Sequence, residues 1–186
     1  DARLLLVGAP APHYDVHAEI AAHDLETHVL VTGFMDDERF TEYLAAADIS
    51  INLRWPTARE ISGPWLRALA ARVPTITTDL SHLVDIPSLD PRTWTIAHTS
   101  ARSGTPEPVS VAIDILDEDH SLRLAMRRLA SDSHLRNRLA DAGWQRLLPA
   151  MDDRRRCGGR ESSSATAPAA ARVHRRLLPR WRAHGQ

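Results

Sequence analysis

The residue types best suited to chemistry lie in one stretch, Leu53-Arg54-Trp55-Pro56-Thr57-Ala58-Arg59-Glu60-Ile61-Ser62-Gly63-Pro64-Trp65-Leu66-Arg67-Ala68-Leu69-Ala70. A Ser-Gly-Pro turn there feeds directly into a helix-forming run, with Ser62 the expected N-cap and Pro64 pre-set for the first helical turn. The amide N–H groups of such a start sit at the positive end of the helix dipole and suit an anion such as phosphate. Glu60, one turn upstream, offers an ionised carboxylate, which accepts hydrogen bonds from sugar or ribose hydroxyls. The plainer alternative is an ordinary capped helix beside a charged loop, a feature of any α/β domain.

Other chemistries find less support. Gly8 and Gly33 each follow an apolar run, but neither belongs to a G-x-G-x-x-G or Walker pattern, so no dinucleotide fingerprint exists. His13, His82 and the other histidines lack the H-x-x-x-H spacing with a partnering Glu, and no metal site is expected. Ser62 has no G-x-S-x-G context, which argues against a hydrolase nucleophile. Arg127 and Arg128 lie opposite Leu122, Ala125, Met126 and Leu129 and read as a solvated helix face.

The elements that must position this stretch alternate. Residues 3–8 form a short continuous apolar run ended by Gly8, Pro10 and Pro12, as expected of a strand buried on both faces of a parallel sheet. A helix over Tyr14 to Leu25 and a strand over His28 to Thr32 follow. Asp36 is the expected N-cap of the next helix, whose Phe40, Tyr43, Leu44 and Ala47 recur at helical spacing. Asp48 to Leu53 is a third strand, Pro64 to Ala71 a helix and Pro74 to Thr78 a fourth strand. This alternation predicts βαβ crossovers, hence an α/β fold with a parallel sheet and helices on both faces. Ligands of such sheets bind beyond the carboxyl ends of the strands. Residues 79–105 hold short extended pieces such as Trp94 to Ala97, and three helices are expected over about 107–117, 120–130 and 132–147. Ser131 or Asp132 caps the last of these, which carries Leu135, Leu139 and Ala142 on one stripe.

The 186 residues, 43% hydrophobic and 25% charged, suit one soluble domain, and no apolar run approaches the ~20 residues of a membrane helix. A single cysteine, Cys157, makes no internal disulfide and fits a reducing cytoplasm, with the inner membrane face left open as a peripheral location. The near-neutral net charge of -1 hides an asymmetry. Residues 1–150 carry 14 Arg against 21 acids, and residues 151–186 carry 9 Arg against 3. The acidic first part argues against a nucleic-acid module. The basic last part, with Gly158-Gly159, a serine triplet and an Ala/Pro stretch, is expected to be a disordered or even frame-shifted tail. All 23 basic residues are Arg, a bias attributable to a GC-rich coding sequence rather than to chemistry.

Five ordered segments carry a resemblance: Leu-Leu-Leu-Val-Gly (4–8), Val-Thr-Gly-Phe (31–34), Tyr-Leu-Ala-Ala-Ala-Asp-Ile-Ser-Ile-Asn-Leu (43–53), Arg-Glu-Ile-Ser-Gly (59–63) and Leu-Arg-Ala-Leu-Ala-Ala-Arg-Val-Pro-Thr-Ile-Thr-Thr-Asp (66–79). Together they resemble the donor-binding half of family-four (group 1) glycosyltransferases over residues 1–147. The resemblance implies a Rossmann-like domain, one half of a GT-B fold, with a helical C-terminal segment. It also implies a retaining, metal-independent transferase that needs no cofactor and uses a nucleotide-diphosphate sugar donor. The acceptor is unspecified.

By the same resemblance, residues 1–150 are an N-terminally truncated nucleotide-sugar-binding domain, and the acceptor domain would precede residue 1. Glu60 takes the donor-sugar role as the catalytic carboxylate, given a one-residue deletion in the loop. Gly8, Arg54, Thr57, Ser62 and Gly63 surround the donor. The family's second glutamate, on the ribose, corresponds to Arg67, which accepts no hydrogen bond. Arg72 stands where the family favours Gly for left-handed backbone geometry. These two departures support the alternative, a non-catalytic α/β scaffold or interaction module that has lost donor binding.

Overall fold

The computed structural model describes residues 2–54, 62–80, 83, 85–96 and 106–157, the last eight of these by backbone alone. The chain divides into two compact units, Asp1–Tyr43 and Leu44–Gln186.

In the first unit, β1 (Leu4–Val7) and β2 (Val29–Gly33) pair in parallel, Leu5 opposite Leu30 and Leu6 opposite Val31. Between them runs α1 (Val16–Ala22), started by Asp15, whose Oδ1 accepts from the N–H groups of His17 and Ala18 at 3.1 and 3.0 Å. Both strands end in glycine with positive φ, Gly8 at 128° and Gly33 at 69°, torsions that cost an L residue but not glycine. The Gly8 N–H donates to the Gly33 carbonyl at 3.1 Å and ties the two strand ends together. None of residues 2–43 is fully buried. The helix α2 (Asp37–Ala46) follows β2 with the expected cap, the Arg39 N–H donating to Asp36 Oδ1 at 2.8 Å.

The second unit holds a four-stranded, all-parallel sheet in the order β3-β4-β6-β5, formed by Ser50–Asn52, Thr75–Thr78, Ser110–Ile113 and Ser88–Leu89 respectively. One face is apolar. Ile76, Leu89, Val111 and Ile113 pack with Ala125 and Leu129 of α4 (Glu118–Ser131) and with Leu135 and Leu139 of α5 (Ser133–Cys157). The other face carries Thr75, Thr77, Ser110 and Ala112 and receives α3 (Gly63–Ala70), which buries Trp65, Ala68 and Leu69. Helices therefore cover both faces, as the alternating sequence requires. Asp132 caps α5, its Oδ1 accepting from the Leu135 N–H at 2.9 Å, and that hydrogen bond, aided by Arg128, holds its carboxyl below the ordinary range.

One expected helix is absent. Residues 107–117 form β6 and a 3-10 turn at Ile115–Asp117 instead. Val109, Ala112, Ile113 and Leu116 mimic a helical stripe, yet Leu116 is 93% exposed whereas Val111, which lies off that stripe, is fully buried. The run Val-Ser-Val-Ala-Ile is a strand buried on both faces. Among the described residues no helix is long and apolar enough to cross a membrane.

Candidate functional site

The carboxyl ends of the parallel strands in the second unit form one rim. Arg54 lies two residues beyond β3, Asp79 directly follows β4, Asp90 follows β5 and Asp114 follows β6. On this rim α3 begins. Ser62 has extended torsions (φ -66°, ψ 118°), and its Oγ accepts from the Trp65 N–H at 3.4 Å while its carbonyl accepts from the Leu66 N–H at 3.0 Å. Pro64 brings no N–H, so the Gly63 amide is the donor of this first turn left without a partner among the described residues. Among the described residues, a Cβ on Gly63 would meet nothing within 4 Å.

Arg54 is exposed, and its backbone N–H donates to Thr78 Oγ1 at 3.3 Å. Arg54, Ser62 and Gly63 thus belong to one unit, at the β3 end and the start of the following helix. Thr57 and Glu60 lie outside the described residues. Gly8 belongs to the first unit, where its role is the left-handed exit from β1. Arg67 is exposed in the last turn of α3, and Arg72 adopts a φ of 55°, the left-handed geometry that marks its position as one for glycine.

Three rim features are invisible to motif reading. Arg92 bridges two carboxylates, its Nε 3.2 Å from Asp90 Oδ1 and its Nη1 3.2 Å from Asp114 Oδ2, and so ties the ends of β5 and β6. Burial alone would raise the pKa of Asp90. Hydrogen bonds from the Arg92 side chain and backbone, with the guanidinium charge, outweigh it and hold the carboxyl below its ordinary value. Asp114 Oδ1 also accepts from the Leu116 N–H at 2.9 Å, which starts the 3-10 turn. Beneath the rim, Trp65, Thr77, Thr78, Asp79, Ser88 and Ala112 border a cavity of about 10 Å³, room for one water and not for a sugar. A charged residue at or just past each strand end is the sequence signal that would have pointed to Asp79, Asp90 and Asp114. No group of three or more potential metal ligands occurs among the described residues.

A sequence model of the family described as glycosyl transferases group 1 matches residues 1–98, just over half of the chain. The chain belongs to the group 1 glycosyl transferases. The matched span of this glycosyl transferase chain includes Gly8, Arg54, Thr57, Glu60, Ser62 and Gly63. No curated protein matches the sequence. Sixteen solved chains match, among them a sucrose-phosphate synthase from Thermosynechococcus elongatus at 19% identity and a TM-score of 0.54. The match covers 83% of this chain and 38% of that protein, so the chain spans well under half of its length. The likeness supports the Rossmann-like α/β fold of a GT-B enzyme.

Proposed function

We propose that this chain is the donor-binding part of a glycosyltransferase that moves a sugar from a nucleotide diphosphate to an acceptor hydroxyl with retention at the anomeric carbon. The observation that carries the reading is the Ser62-capped start of α3, the helix that follows β3 and Arg54 at the carboxyl rim, within the span matched by the family. The diphosphate would lie at the Gly63 amide and the positive end of α3, with Thr57 and the Arg54 charge adding to its neutralisation. Glu60 would accept hydrogen bonds from the donor sugar and so orient it.

In the reaction, the bond from the anomeric carbon to the diphosphate oxygen breaks and its electron pair leaves with the diphosphate. The acceptor oxygen forms its bond from the same face, and its proton passes to the departing phosphate oxygen. The protein contributes position and electrostatics, without a metal or cofactor. The acceptor would be held by a further domain, and the location would be the cytoplasm or its membrane face.

A second reading rests on Arg67 and on the Gly63 amide being the one donor of the first α3 turn without a partner among the described residues. With no carboxylate at the ribose position and few donors for phosphate, the chain would serve as an α/β scaffold. Thermal melting with UDP, GDP and their sugar conjugates separates the two. A ligand at 100 times its dissociation constant adds about 2.7 kcal/mol to the folded state. A melting shift that Glu60→Ala diminishes for the sugar conjugates supports the donor site; no shift with any nucleotide supports the scaffold.

A further inference from the structure

The strand β4 reads Thr75-Ile76-Thr77-Thr78, and all four residues are buried although three bear hydroxyls. Valine has the same branching, suits a buried parallel strand better and carries no polar atom to satisfy. Two of the hydroxyls have partners outside the sheet ladder. Thr78 Oγ1 accepts from the Arg54 N–H at 3.3 Å, where the chain leaves β3. Thr75 Oγ1 accepts from the indole N–H of Trp65 at 3.1 Å, in the first turn of α3, the same turn that Ser62 caps. Thr77 makes neither bond and borders the small cavity.

We infer that Thr75 and Thr78 are positioning residues: from one strand they fix Arg54 on one side and the first turn of α3 on the other. The inference rests on the donor-site reading and deepens it. Three residue steps of parallel strand set the two Cα atoms about 10 Å apart, with the side chains on opposite faces of the sheet. The central strand thus sets the spacing between the Arg54 backbone and the Gly63 amide. Trp65 transmits the hold to α3, because its ring is buried and its indole N–H has one acceptor. A helix start aimed at an anion depends on such orientation, since the dipole acts only over the first turn.

The test uses the whole chain with Thr78→Val, Thr75→Val, the corresponding Ser variants and Thr77→Val. Amide exchange at Arg54, indole N–H exchange at Trp65 and UDP affinity are measured for each. Thr78→Val is expected to speed exchange of the Arg54 amide about tenfold while the Ser50 and Asn52 amides keep their rates. Thr75→Val is expected to do the same for the Trp65 indole. Each Val variant weakens UDP binding three- to tenfold, the Ser variants restore it, and Thr77→Val changes neither readout. Unaltered exchange in the Val variants, or unaltered UDP affinity in them, overturns the inference while leaving the donor site standing. Failure of the unmodified chain to bind UDP or any other nucleotide overturns the donor site and, with it, the role given to these threonines.

Discussion

In the first unit β1 reads Leu-Leu-Leu-Val, yet Leu4 and Val7 are 41% and 40% exposed. In the second unit β4 reads Thr-Ile-Thr-Thr, and no residue of it exceeds 5% exposure. The more apolar strand is the less buried one. Burial follows from neighbours: β4 has a strand on each side and a helix over each face, whereas β1 has only β2 beside it among the described residues. A parallel sheet needs both faces covered, and a two-stranded one contributes little stability by itself.

That contrast can be broken most sharply by truncating one side chain in each unit. Leu139→Ala or Leu129→Ala removes a fully buried side chain and should cost about 2–5 kcal/mol in denaturant unfolding. Leu5→Ala, at a half-exposed position in β1, should cost roughly 1 kcal/mol or less. Equal losses would erase the distinction between the units. Amide exchange sharpens it further, with Val111 and Ile76 expected among the slowest amides and Leu6 and Val31 exchanging by local opening.

Gly143→Ala tests how tightly the second unit is filled. A Cβ there would lie 2.7 Å from Leu69 Cδ2, inside a buried contact, and should cost about 1–3 kcal/mol. Arg72→Gly goes the other way. Removing a left-handed arginine gains about 1 kcal/mol of backbone strain, partly offset by the loss of the stack of Arg72 on Trp144 at 5.3 Å and the 3.9 Å approach to Asp141. A small rise in melting temperature is the expected result.

The smallest effect concerns acid. Asp90 and Asp132 both have folded-state pKa values below the ordinary value of about 3.9. Their stabilisation is present above that value and disappears as pH falls through the lowered folded one. Both are partly exposed at the surface, where solvent screens their ion pairs, so Asp90→Asn should flatten the acid limb of a stability profile only slightly.

Local signals in the sequence were the readable ones. Asp36, Ser62 and Asp132 cap their helices because a cap is decided within three residues. Strands β1 to β4 fall within a residue or two of their expected bounds, since Gly8, Gly33 and Pro74 punctuate them. The strand β6 was hidden because five apolar-rich residues fit both periods, and only the exposure of Leu116 separates them. At the site, Ser62 and Gly63 were legible, whereas the Arg92 bridge to Asp114 spans 22 positions and the Thr78 bond to Arg54 spans 24. No spacing rule reaches that far.

The glycine pair closing β1 and β2 separates two roles that glycine often combines. A Cβ at Gly8 or Gly33 would touch nothing within 4 Å, so the demand there is torsional and not steric. The cost is then one of handedness, since a positive φ of this kind suits a D residue and strains its L counterpart. Chirality alone thus guards the point at which the chain leaves both strands.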